Sequence, residues 1–307
     1  MGKYILARAV RAILTFFLVT VITFVLLHST PGDIGWILLG RHATLARAAA
    51  LDRQLGLDLP LPVQYVRWLN MLIQGGGLGH NLSAAAVPTL EYLAFGGGFS
   101  LLVAVFLATL QARFPATKFD RFSSGAVYFA STLPSFWIGL VLIYVFAMQL
   151  LWLPGNGPYA APAAEGPLHW LFYMVLPTIA LVVPTVASWS GLFRAGVEEA
   201  LRADYVRTAR AQGYSELVVL FRYVLRNALL PIITVAGMSL PTLFNNIVVL
   251  EMIFHMNGLG SFLVGSLFSF NYNEAVDLIL IISMITVGGN LLADVLYSVA
   301  DPRVRYS

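Results

Sequence analysis

Residues 92–112 read YLAFGGGFSLLVAVFLATLQA, with Glu91 before them and Arg113 after. These 21 consecutive positions carry no charge, and about 20 predominantly apolar residues are enough for a helix to cross a hydrocarbon layer. The same test applied outward finds further uncharged runs. They are 21 residues from Ala12 to Gly32, 43 from Phe122 to Ala164, 28 from Gly166 to Phe193 and 24 from Asn227 to Leu250. A last run, Leu278 to Ala293, has 16 and reaches Ala300 when Asp294 sits near the headgroups or faces protein. The 43-residue run is long enough for two helices, but its second part, Pro154-Gly155-Asn156-Gly157-Pro158, is turn chemistry. One helix is expected there, hence six spans in all.

Composition agrees with that count. Of 307 residues 59% are hydrophobic and 11% charged, against about 25% charged in a soluble domain. Mean hydropathy is +0.80. An even number of spans puts both termini on one side, and 14 of the 18 basic residues fall on that side when it is the cytoplasm. The other four, Arg41, Arg47, Arg53 and Arg67, follow the first span. Lys3, Arg8 and Arg11 precede an apolar stretch too long for a signal core, so an uncleaved anchor is expected. The net charge of +3 then reflects inward-facing arginines and calls for no nucleic acid. Three regions follow: 1–32 with the first span, an external lobe at 33–89, and a five-helix core at 90–307 containing a cytoplasmic loop at about 194–226.

In the external lobe, Leu55-Gly56-Leu57-Asp58-Leu59-Pro60 reads as turn or extended chain and Val63 to Gln74 as an amphipathic helix ending at Gly75-Gly76-Gly77. Tyr65 and Trp68 are expected at the membrane interface or against outer helix ends. In the cytoplasmic loop, Glu198 to Gln212 has good helix formers, Gly213 stops or turns them, and a second amphipathic piece runs from Glu216 to Leu225. Two short helices beside a glycine form a compact knob suited to a partner's groove; a solvated basic loop is the plainer alternative.

The segments Asp204-Tyr205-Val206-Arg207-Thr208-Ala209-Arg210-Ala211-Gln212-Gly213 and Leu225-Arg226-Asn227-Ala228-Leu229-Leu230-Pro231 resemble the coupling loop of ABC importer permeases. More narrowly, the chain resembles the B-type subunit of dipeptide and oligopeptide permeases. The resemblance extends through Pro31-Gly32-Asp33, Pro134-Ser135-Phe136-Trp137-Ile138-Gly139, Leu151-Trp152-Leu153-Pro154, Leu176-Pro177-Thr178, Glu251-Met252-Ile253-Phe254 with Gly258-Leu259-Gly260, and Asp301-Pro302-Arg303. It implies an all-α, multi-pass protein of the bacterial inner membrane that forms half of a heterodimeric pore with a second permease subunit. It also implies an extracytoplasmic solute-binding protein, and ATP-binding subunits that hold ATP and magnesium while this chain holds no cofactor. Asp204, Tyr205, Arg207, Thr208, Ala209 and Gly213 match the positions that engage the ATPase. The same resemblance covers importers of nickel chelates, glutathione and some sugars. Three departures bear on substrate class: Phe244-Asn245-Asn246 stands where paired glycines are common, Asn271-Tyr272-Asn273-Glu274 replaces an Arg-Asp-Tyr-Pro type sequence, and Met256-Asn257 replaces Trp-Pro or Tyr-Pro.

Other chemistry is missing. The only lysines, Lys3 and Lys118, lie outside any phosphate-loop spacing, so ATP hydrolysis belongs to another subunit. None of the five histidines is followed by glutamate, and no Gly-x-Ser-x-Gly turn or cysteine occurs, so neither a metal site nor a catalytic residue is expected. Ser239, Thr242, Asn245, Asn246 and Glu251 on the fifth span are the candidates for a polar translocation path. Residues 239, 242 and 246 share one helix face; interhelix bonding is the alternative use of that face and of Glu251. A secondary transporter or channel without ATPases would need embedded charges or symmetry-related broken helices, and no internal repeat is evident.

Overall fold

In the computed structural model the chain is helical, and the structure describes residues 2–29, 44–47, 50, 53, 58–73, 80–158, 166–269 and 272–300. The principal helices are α1 (Gly2–Ser29), α2 (Leu61–Ile73), α3 (His80–Arg113), α4 (Lys118–Ser131), α5 (Ser135–Leu142, continued as a π-helical segment Ile143–Gln149) and α6 (Pro167–Arg202). Then come α7 (Asp204–Ala211), a turn Glu216–Val218 with a π segment Val219–Val224, α8 (Leu225–Met238), α9 (Leu240–Ile253), α10 (Leu259–Phe268) and α11 (Tyr272–Ala300). The expectations at Pro31-Gly32-Asp33, Gly75 to Gly77 and Asp301-Pro302-Arg303, most of that at Leu55 to Asp58, and the side chains of Trp68, Asn273 and Asp294 lie outside the described residues.

Helix α6 is the axis of the bundle. Met174, Leu176, Leu181, Val186, Trp189, Phe193 and Val197 are buried along it, and α3 packs along most of its length. Close approach is possible because Gly96 has no side chain: a Cβ there would come within 2.7 Å of Leu181 Cδ2. Beside this contact Tyr92 is fully buried and donates its hydroxyl to the carbonyl of Pro177 at 2.6 Å, which satisfies a polar group that lipid could not. A second core of Ala85, Phe244, Leu259 and Leu278 joins α3, α9, α10 and α11. Outward, Ile13, Leu102, Phe106, Leu168 and Phe268 are exposed, as suits helices whose solvent is hydrocarbon.

Among the described residues two helices, Ala85–Arg113 and Pro167–Arg202, are each long and apolar enough to cross a membrane. Two bent pairs would each count as one more. The run Phe122–Ala164, expected to hold a single helix, holds two segments bent by 102°. Pro134 causes the break: it lacks an amide hydrogen and disfavours helix in the residue before it. The turn expected at Pro154–Pro158 is present, and Gly157 donates to Phe254 O at 2.6 Å. The run expected to be the fifth span is also interrupted, with Ser239 between α8 and α9 and Pro241 in the first turn of α9. In the stretch expected to form an external lobe, α2 starts at Leu61, two residues before the expected Val63. Its Tyr65 packs edge-on against Phe24 of α1 and shares a 2.8 Å hydrogen bond with Thr20. Helix α3 begins at His80, so the end of the stretch read as lobe is already helical.

Candidate functional site

A cavity of about 360 Å³ lies between the middle of α6 and the junction of α8 and α9. One wall carries Ser239, Thr242 and Asn246, the three residues expected to share a face; the other carries Thr185, Ser188 and Trp189 of α6. Ser239 links the two walls, donating to Val235 O at 2.8 Å and accepting the Trp189 indole N–H at 3.0 Å. Thr185 and Ser188 donate to carbonyls of their own helix, Leu181 O at 2.7 Å and Thr185 O at 3.0 Å. Asn246 Oδ1 accepts from Ser135 of α5 at 3.1 Å. Uncharged hydrogen-bonding groups therefore face one another across an open space in an apolar bundle.

The two other candidates on α9 stand apart from this cavity. Asn245 is exposed and does not line it. Glu251 is fully buried near the end of α9, where its carboxylate accepts from Thr89 Oγ1 at 2.5 Å and from Gly260 N at 2.8 Å. Thr89 in turn accepts from Leu259 N at 2.9 Å. Glu251 thus ties the start of α10 to α3. The sharp turn that brings α10 back needs positive φ at His255 (50°) and Asn257 (31°), and a Cβ at Gly258 would collide with the Glu251 carboxylate.

At the other end of the molecule α6 runs straight into the loop read as the coupling segment. Its 36 residues extend about 54 Å, more than a hydrocarbon core of about 30 Å requires, and α7 follows after Ala203 alone. On α7, Val206 and Ala209 are buried while Asp204, Tyr205, Arg207 and Thr208 are exposed. Ala209 thus turns its methyl toward the chain's own interior and supports the surface presented by its neighbours. The helix ends in a Schellman motif: Gly213 donates to Arg210 O at 3.0 Å, Tyr214 donates to Ala209 O at 3.3 Å, and Gly213 takes φ +82°. Partial desolvation of the Tyr205 ring, which is 38% exposed, raises the phenol above its ordinary pKa, partly offset by a hydrogen bond with Asn227.

Charge fastens this loop to the bundle. Glu216 receives Arg210 Nε at 2.8 Å from α7 and Arg113 at 3.1 Å from the end of α3. The Arg210 hydrogen bond, the largest influence, lowers the Glu216 pKa. Deeper in, Arg194 of α6 holds Asp120 of α4 through two bonds at 2.6 and 3.2 Å and Glu198 at 2.8 Å. Asp120 also accepts Ala116 N at 2.8 Å.

The family model described as "Binding-protein-dependent transport system inner membrane component" matches residues 100–306, and the model for the N-terminal part of such membrane components matches residues 1–119. This chain belongs to that family. Over the full length of both chains it is 32% identical to the oligopeptide transport system permease protein AppB of Bacillus subtilis and 34% identical to a probable peptide ABC transporter permease protein, y4tP, of Sinorhizobium fredii. Among solved structures, an amino acid ABC transporter, described as crystallised with histidines, matches with TM-score 0.52 at 17% identity, covering 77% of this chain and 98% of that one. The fold is therefore one shared with an ABC transporter, and the family makes this chain a permease component of a transport system.

Reading the permease from its sequence missed the α6 wall of the cavity. Thr185 and Ser188, three apart and so on one face of that span, were the available signal. It also missed Glu216 as an anchor, because Arg113 lies far off in sequence and Arg210, six residues away, is turned toward it only by the reversal at Gly213.

Proposed function

We propose that this permease is one of two membrane subunits of a binding-protein-dependent peptide importer in the bacterial cytoplasmic membrane. It crosses the bilayer six times with both termini inside, counting each divided helix as one span. A binding protein delivers peptide from outside, and α7 seats in a groove of an ATP-hydrolysing subunit that holds ATP and magnesium. The single observation that carries the reading is α7 itself: a short helix on a buried footing of Val206 and Ala209 that offers Asp204, Tyr205, Arg207 and Thr208 to a partner. Peptide as the cargo is supported by the names of the full-length relatives.

The geometry supports transmission by short levers. Because Ala203 alone separates α6 from α7, and Glu216 joins α7 to α3, a push on the loop moves both central helices together. Ser239, between α8 and α9, is a joint across which the cavity can open to alternate sides.

The test is copurification of ATPase and partner permease with the solubilised chain, comparing wild type with Gly213→Val. Open space surrounds Gly213, so the substitution acts through its left-handed backbone alone, at a cost of about 1–2 kcal/mol. Both partners are expected with wild type, with the ATPase lost or uncoupled in the variant. Wild type recovered without any ATPase would overturn the reading.

A further inference from the structure

We infer that the cavity between α6 and the α8–α9 junction is a passage subsite for uncharged main-chain amides, and that it passes peptides without selecting the charge of their side chains. The inference rests on the peptide-importer reading above and specifies what this chain's half of the path recognises.

The chemistry of the lining carries it. Among the described residues no ionisable side chain lines the cavity. The first charged groups beyond it along α6 and α9 are committed elsewhere: Arg194 to Asp120 and Glu198, and Glu251 to Thr89 and Gly260. Polar groups that remain are matched to an amide. Thr185 and Ser188 spend their protons on their own helix and present oxygen lone pairs, which accept a peptide N–H. Asn246, its Oδ1 occupied by Ser135, presents its NH2 to a carbonyl. Trp189 is engaged by Ser239 and contributes an apolar wall rather than a donor. A fixed charge in so apolar a setting would hold peptides of opposite charge and repel those of like charge. This lining instead offers the same bonds to every peptide.

The test uses the whole importer in proteoliposomes, with ATP on the ATPase side and the binding protein on the other. Uptake is compared for Ala-Ala-Xaa-Ala-Ala with Xaa as Lys, Gln or Glu, each at equal binding-protein loading. Wild type is expected to move the three within about threefold of one another, since a charge a few ångströms away would separate them by about tenfold or more. Ser188→Asp, at an exposed cavity position, is expected to raise the Lys-to-Glu uptake ratio about tenfold, and Ser188→Asn to leave it unchanged. Because the readout is a ratio within one variant, lower expression does not disturb it, and Thr242→Asp repeats the test from the facing wall. A wild type that already separates Lys from Glu by more than tenfold overturns the inference, as does an unchanged ratio in both aspartate variants. ATP hydrolysis with no uptake of any of the three peptides would sink the peptide-importer reading itself, and this inference with it.

Discussion

Two residues near the end of α9 show how little freedom the turn into α10 has. Gly260 lies so close to α9 that a Cβ would stand 2.6 Å from the Val248 Cα and 2.7 Å from its carbonyl oxygen. Both are backbone atoms, so nothing flexible can give way, and Gly260→Ala is expected to cost about 1–3 kcal/mol as overpacking does in a filled core. A lowered melting temperature of the purified complex would register it. Glu251 exerts a different control over the same turn. With its carboxylate removed in Glu251→Ala, the Gly260 amide loses its acceptor, and an orphaned buried amide costs about 1–3 kcal/mol. Glu251→Gln retains one acceptor oxygen and should recover part of the loss. If Glu251→Ala instead melts like wild type and fails only in uptake, the residue belongs to the transport path rather than to this clamp. Sequence reading singled out Glu251 because a carboxylate in a span requires a reason; whether that reason was a partner or a substrate depended on Thr89 and Gly260, which the chain brings up from far away and from a reversal.

At the scale of helices, the ion pairs at Glu216 are the attachment that can be titrated. Arg210 and Arg113 hold its pKa below the ordinary carboxylate value, so the contact is complete above that ordinary value and is lost as pH falls through the lowered one. Loop attachment should therefore be indifferent to pH between about 6 and 8 and weaken only in acid below about 4.3. Glu216→Gln should reproduce the acid state at neutral pH. Because the pairs are partly exposed, its effect on transport-coupled ATPase activity should be a fewfold fall, reduced further by salt. A variant that couples like wild type at low salt would remove the lever between α7 and α3. Helices legible in advance were those that charge spacing measures well: α3 and α6 are long, apolar and bounded by charges. The breaks at Pro134 and at Ser239 before Pro241 were less so. Counting uncharged residues reports length but not the missing amide hydrogens of proline, and both breaks fall inside runs that carry no charge.

The whole molecule brings these levels together, because a membrane protein's orientation follows from where its charges can remain hydrated. Arg194, Glu198, Arg210 and Glu216 gather at the end of α6 and in the loop beyond it, whereas the turn at 154–157 meets the α9–α10 turn through Gly157 and Phe254. If α6 spans the bilayer, these two groups lie on opposite faces. The absence of cysteine from all 307 residues makes the point testable without background, since any introduced thiol is unique. Ser215 and Asn156 are both exposed in turns, so a thiol at either should be tolerated. In intact cells a membrane-impermeant maleimide should label Asn156→Cys and leave Ser215→Cys unmodified, and in inside-out vesicles the order should reverse. Ser188→Cys, within the cavity, should change its labelling when the ATPases are trapped with a non-hydrolysable nucleotide, as the proposed movement at Ser239 requires. Labelling of Asn156→Cys and Ser215→Cys from the same side would contradict the proposed topology. A Ser188→Cys that reacts identically in both nucleotide states would leave the cavity fixed and place the moving gate elsewhere in the bundle.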